Sequence, residues 1–289
     1  METISFRHFE AADYESVCAF LRELNHKDHA HINWNWARWE WMYFHTEFDR
    51  SLISVIGLWT QGERIVGAAI YDQYFGEAFC GALPEFEALT PEIVDYALTH
   101  LKDENGLGIA VNDLDEAMKA VLLSRGFHAA EQDETMLRIS LEAPLSYALP
   151  QPYAIREVRL PEDLYPCQLV LWKGFDHGDD MAEFEASRAS EAPKRPHMNS
   201  HLTISAVDAR GNFAALCGCW YDPTTDYAYV EPVCTIPECR GQGLGRAVVY
   251  EALNHCRALG AKAAYVLSDQ KFYRQLGFDF HSHHTFYWK

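Results

Sequence analysis

The chain has 289 residues, 48% of them hydrophobic, and a formal net charge of −18. That length supports two domains with separate cores, and so acidic a balance argues against a surface that neutralises nucleic-acid phosphates. No stretch reaches the ~18 apolar residues of a membrane span, and Met1-Glu2-Thr3-Ile4-Ser5-Phe6 has no basic segment leading into an apolar one, so no membrane contact or secretory leader is expected.

In chain order, residues 4–23 read as a strand followed by an amphipathic helix. Four of the eight tryptophans then crowd together, at Trp34, Trp36, Trp39 and Trp41. On a helix they spread over more than one face, which predicts an interface between domains, or alternatively an aromatic wall for a cation or sugar. Residues 52–71 alternate around Gln61-Gly62-Glu63 and predict a hairpin. Thr90-Pro91 starts a helix through His100, and Ser124-Arg125-Gly126-Phe127 leads into another strand. Residues 143–152 hold three prolines and read as a linker.

The order then repeats. Residues 153–173 answer 4–23, and the hairpin at 202–221, turning at Arg210-Gly211-Asn212, answers 52–71. Gln275-Leu276-Gly277-Phe278 answers Ser124 to Phe127. The chain therefore divides into residues 1–143, a linker at 144–152, and residues 153–289. Charge separates the halves too: 25 acidic against 10 basic residues lie in 1–150, and 17 against 14 in 151–289. A polyanion is expected on the second half, and the acidic half beside it favours cationic amines.

Between Glu231 and Ala247 the pattern is strand, glycine turn, helix. Arg240, Gly243 and Gly245 fit Gln/Arg-x-x-Gly-x-Gly/Ala. Such a turn aims backbone N–H groups and a helix N-terminus at one anion, with no Cβ in the way. It lacks the Gly-Lys-Ser/Thr of a P-loop and the wider spacing of a dinucleotide fold. Further on, Phe272-Tyr273-Arg274-Gln275-Leu276-Gly277-Phe278 follows a predicted strand at 263–267. The first half lacks the turn: Pro84-Glu85-Phe86-Glu87-Ala88-Leu89 sets carboxylates where an anion would sit.

Turn, strand and F-Y-x-x-x-G-F helix, in that order, resemble the GNAT superfamily of N-acetyltransferases, in a tandem form with a degenerate first copy. The resemblance implies an α/β (α+β) fold of two GNAT-like domains, each a mixed, mostly antiparallel sheet flanked by helices. It implies acetyl-CoA as co-substrate, direct transfer to an amine, most simply of a small molecule, and no metal. In this family the fourth and fifth strands splay and pantetheine inserts between them. Pro232 suits the bulge this needs, which assigns Val233, Cys234 and Thr235 to pantetheine, with an N–H of Val233 or Cys234 facing the oxyanion. Arg240, Gly241, Gln242, Gly243, Leu244, Gly245 and Arg246 would hold the diphosphate, and Ser268 stands where the family usually has an asparagine.

Tyr273 occupies the family's tyrosine position, and a phenol can protonate a departing thiolate. Glu231 is the candidate base, although a carboxylate is a weak base for an ammonium unless burial raises its proton affinity. The acceptor site of this fold lies near the first two helices, here Trp172, Asp176 and His177, in a glycine-flanked loop. The alternatives are a different acyl donor, or a non-catalytic sensor that binds acyl-CoA. Eight irregularly spaced cysteines predict reduced core thiols and a cytoplasmic protein. His281, His283 and His284 predict a plain surface strand rather than a metal site, since no acidic partner is spaced to join them.

Overall fold

The computed structural model describes residues 3–26, 28–45, 48–189 and 196–289. Met1 and Glu2 of the starting segment lie outside them. The chain divides into two compact units, one of residues 1–137, 267–269 and 280–289, the other of residues 138–266 and 270–279. The final strand, expected with the second half, thus belongs to the first unit.

The first half runs β1 (Ile4–His8), α1 (Tyr14–Leu24), α2 (Trp36–Tyr43), β2 (Gly57–Gln61), β3 (Arg64–Tyr71), β4 (Ala78–Ala82), α3 (Thr90–His100), β5 (Gly108–Asn112), α4 (Glu116–Ser124) and β6 (His128–Ser140). The second repeats this succession: β7 (Ala154–Glu157), α5 (Leu164–Gly174), α6 (Met181–Ala189), β8 (Thr203–Val207), β9 (Phe213–Tyr221), β10 (Tyr227–Thr235), α7 (Leu244–Leu259), β11 (Ala263–Leu267), α8 (Lys271–Gln275) and β12 (Asp279–Trp288). The duplication read from pattern is therefore present element by element.

In the first unit, β1-β2-β3-β4 form an antiparallel sheet, and β12 runs antiparallel to β5. One parallel bridge, Glu77 to Gly108, is all that links the start of β4 to β5. In the second unit, β7-β8-β9-β10 are antiparallel and β11 joins β10 in parallel. Each sheet is flanked by helices with one apolar stripe. On α1, Val17, Leu21 and Leu24 recur at helical spacing and are buried; on α7, Leu244, Val248, Ala252 and Cys256 do the same. Each fully buried leucine or valine contributes roughly 1.5–3 kcal/mol.

One feature of the repeat is invisible in apolar pattern. Arg7 on β1 makes a two-pronged bond to Asp13 at the start of α1, at 2.6 and 2.7 Å. Arg156 on β7 does the same to Asp163 before α5, at 2.5 and 2.8 Å. Each carboxylate also accepts a backbone N–H, from Glu10 and from Arg159. The arginine hydrogen bond, ahead of the backbone bond, holds both carboxyls below their ordinary range against the opposing effect of burial.

The tryptophan cluster corrects the expectation of a domain interface. Trp34, Trp36 and Trp39 are buried in the core of the first unit. Trp39 packs against Phe9, Tyr14, Tyr43 and Phe48, and Trp34 stacks on Phe79, all residues of that unit. The helix around them starts on Asn35, whose side chain accepts the N–H groups of Ala37 and Arg38.

The histidines of β12 do not form a plain surface strand. His284 is 1% exposed, and burial pushes its imidazole down to about 4. His283 meets Asp113 at 2.8 Å and Asp133 at 3.5 Å, and the Asp113 hydrogen bond raises its proton affinity. The acidic partners come from elsewhere in the chain, where no local spacing reveals them.

Candidate active site

The second unit holds a parting of strands. β10 pairs with β11 only across Tyr227–Tyr229, although β10 continues to Thr235 and β11 to Leu267. Beyond that point one edge of β10 has no strand beside it among the described residues. A bulge accompanies the parting: Val230 lies opposite Cys219 and Val233 opposite Cys217, so two extra residues, Glu231 and Pro232, face Gly218 alone. Only glycine fits there, since a Cβ would come within 2.8 Å of the Glu231 carbonyl. Proline costs no ladder bond at the bulge, and Trp220 Nε1 donates to Glu231 O at 2.9 Å.

The ladder decides which amides are open. Ile236 N–H donates to Ala214 O on the β9 side. Alternation then turns the Cys234 N–H toward β9 as well, while Val233 and Thr235 turn theirs to the opposite edge. Of the two oxyanion candidates this leaves Val233. The Cys234 thiol contacts Val170 O at 3.4 Å inside the core, and burial pushes it up to about 12, which makes it inert.

Past β10 the chain makes the glycine turn. Gly241 and Gly243 take φ of +75° and +86°, and a Cβ added at either would meet nothing within 4 Å. The turn is thus left-handed and open. Gly243 caps α7 with no side chain, so the first N–H groups of this 16-residue helix have no local cap. Gln242 and Arg246 are exposed and Leu244 is buried. Gly245 packs closely, with Phe272 at 3.2 Å and Thr235 Oγ1 at 3.3 Å from its Cβ position.

Tyr273 follows on α8. It is 8% exposed, and among the described residues nothing meets its hydroxyl. Burial, aided by the nearby Cys217, Glu231, Cys219 and Cys234, lifts its proton affinity well above that of an ordinary phenol. The fold therefore brings Tyr273 and Glu231 into each other's field at the mouth of the parting.

The acceptor-loop residues are more committed than expected. Asp176 takes φ +60° and is ion-paired to Arg240, both oxygens lying 3.0 Å from Nη2. Arg240 also donates to Gly174 O and Thr235 O. Trp172 Nε1 closes the loop onto Gly178 O at 2.9 Å, and its ring stacks on His177. Asp180 caps α6. Ser268 falls with the first unit, where its N–H donates to Thr135 O. Gly218, Trp220 and the Asp176–Arg240 pair went unread. A glycine inside a strand pattern was a signal for the first; the other two are long-range.

Residues 165–278 match the family described as Acetyltransferase (GNAT) family. The second unit carries a GNAT domain. No curated protein sequence matches the chain. Among solved structures, the chain is similar to a tandem GNAT protein from the clavulanic acid biosynthesis pathway, with TM-score 0.61, 16% identity, and coverage of 99% of this chain and 98% of that one. It is also similar to a GCN5-related N-acetyltransferase from Sphaerobacter thermophilus, with TM-score 0.59, 13% identity, and coverage of 99% and 95%. A third is a GNAT-family acetyltransferase from Colwellia psychrerythraea, with TM-score 0.56, 13% identity, and coverage of 99% and 98%. At these identities the likeness is one of fold: two α/β units in the tandem GNAT arrangement.

Proposed function

We propose that the GNAT domain transfers an acetyl group from acetyl-CoA to a primary amine of a small molecule. The observation that carries this reading is the open pair of left-handed glycines at the uncapped start of α7, beside the unpaired edge of β10. The amides of the turn and the helix dipole suit a diphosphate, and the free edge suits the amides of a pantetheine arm.

In this reading the residues act as follows. The backbone of residues 241–246 grips the diphosphate, and Val233 and Thr235 align the arm along β10. The Val233 N–H then faces the thioester oxygen as charge develops on it. Tyr273, held protonated by its surroundings, donates to the departing thiolate. Glu231 receives the proton of the attacking ammonium, directly or through water. Cys234, the cysteine at this strand edge, is too poor an acid to serve as an acyl carrier, which favours direct transfer over a covalent intermediate.

The eight cysteines are all free and buried, which suits a reducing compartment, and we place the protein in the cytoplasm. No helix among the described residues is long and apolar enough to cross a membrane. The test is thiol release from acetyl-CoA across a panel of primary amines. Turnover with at least one amine, lost in Tyr273→Phe, is expected. Coenzyme binding without turnover on any amine would instead make the domain an acyl-CoA sensor.

A further inference from the structure

The first unit has no glycine turn, yet it keeps a pocket of its own. β4 and β5 meet at the Glu77–Gly108 bridge and then part. Around that opening Asn33, Trp34, Arg38, Asp72, Glu77 and Glu134 line a half-open space of about 280 Å³, part of it open to solvent. From these residues we infer that the pocket binds a small primary ammonium compound that also carries a hydroxyl or carbonyl acceptor.

Charge selects the cation. Three carboxylates face one guanidinium, and that guanidinium is committed. Arg38 donates to Asn33 O at 2.8 Å and pairs with Asp72 at 2.8 Å and Glu134 at 2.9 Å. Asn33 Nδ2 adds a bond to Glu134 at 3.2 Å. Burial pushes the Glu134 carboxyl upward, but Arg38 and Asn33 outweigh it and hold the group below its ordinary range. Glu77 is left differently. Its described hydrogen bond is to the neutral Gln132 Nε2, at 2.8 Å, and it forms no ion pair among the described residues. Burial accordingly raises its proton affinity. A half-buried carboxylate without a cation, in a pocket of net charge −2, favours an ammonium and repels an anion.

A second observation selects the acceptor. Trp34 lines the same pocket and is 3% exposed, but its indole N–H has no hydrogen-bond partner among the described residues. Its ring is already covered, by Phe79 stacked at 5.3 Å and by the Arg38 guanidinium 5.3 Å from the ring centroid. Only the edge is available. An indole nitrogen donates and cannot accept, so this group needs an oxygen, and leaving it unmet is costly. The alternative occupant is water, which satisfies the indole without any need for the Glu77 charge.

Ethanolamine is the probe, compared with ethylamine, ethylene glycol and glycolate, without coenzyme, so the result is independent of the transferase reading. Binding is followed by NMR of the 15N-labelled indoles, with the Trp34 peak assigned from Trp34→Phe. We expect ethanolamine to shift that peak and to bind about tenfold more tightly than ethylamine or ethylene glycol, with glycolate inert. Glu77→Gln should weaken ethanolamine at least about tenfold without disturbing the fold, and Trp34→Phe, if folded, should reduce it to the ethylamine level. No shift at ~100 mM ethanolamine, a concentration that detects even a very weak complex, would overturn the inference and leave the site to water. Binding indifferent to Glu77→Gln, or equal for ethanolamine and glycolate, would overturn it as well.

Discussion

The turn after β4 and the turn after β10 stand at the same step of a repeated fold and differ in every respect that concerns an anion. After β10, two glycines at positive φ open onto empty space and lead into an uncapped helix. After β4, Pro84–Leu89 forms a 3-10 helix, and Glu85 is held by Arg64, which also pairs with Glu23. Both units nevertheless let their fourth and fifth strands part. The parting belongs to the fold, whereas the grip on a phosphate belongs to a few backbone positions. One copy can therefore lose the coenzyme while keeping its opening, relined with carboxylates and tryptophan.

The largest expected effect comes from making the second turn resemble the first. Gly243→Glu puts a carboxylate into the open turn and strains a left-handed position by about 1–2 kcal/mol. Acetyl-CoA affinity should fall at least about 100-fold by calorimetry, with the circular dichroism spectrum unchanged. Gly243→Ala, which adds strain but no charge, should fall between the two. Equal losses in both variants would show that conformation alone, not charge, separates the turns.

Next comes chemistry that the first unit lacks. Tyr273→Phe should lower kcat by about 10²-fold while the coenzyme Kd changes less than about twofold. A parallel loss of binding would make Tyr273 a packing residue.

Where the halves agree, they should respond alike. Asp13→Asn and Asp163→Asn each remove an arginine-anchored carboxylate and should cost about 1–3 kcal/mol in urea unfolding at pH 7. Both native pKa values are depressed, so this stability is fully present above the unfolded value near ~3.9 and is lost as pH falls through the lower folded values. The gap between wild type and variant should therefore close below about pH 4. A gap that persists at lower pH would mean that shape, not charge, anchors the helices.

The smallest effect concerns Asp176→Ala. Its pair with Arg240 is exposed and worth roughly 0–1 kcal/mol, so freeing the arginine should tighten coenzyme binding by no more than about fivefold. Weaker binding would show that Asp176 holds the arginine in place for the coenzyme rather than competing with it.

Much of this could be read from sequence because it is local. Glycines at 241 and 243, the F-Y-x-x-x-G-F helix, the hairpin turns and Pro232 at a bulge each act within a few residues. The missed features depend on distant partners. Gly218 matters because the bulge of another strand presses on it, and Asp176 because Arg240, far along the chain, reaches it. The tryptophans suggested an interface because a helical wheel cannot reveal that Phe9, Tyr14, Phe48 and Phe79 surround them within their own unit. Assigning β12 to the first unit likewise required its pairing with β5.

Calorimetric titration of the purified chain with acetyl-CoA tests the central claim most directly. One binding event per chain, abolished by Gly243→Glu, is the predicted result. Absence of binding, two events per chain, or binding that survives the substitution would contradict the assignment of the coenzyme to the glycine turn of the second unit.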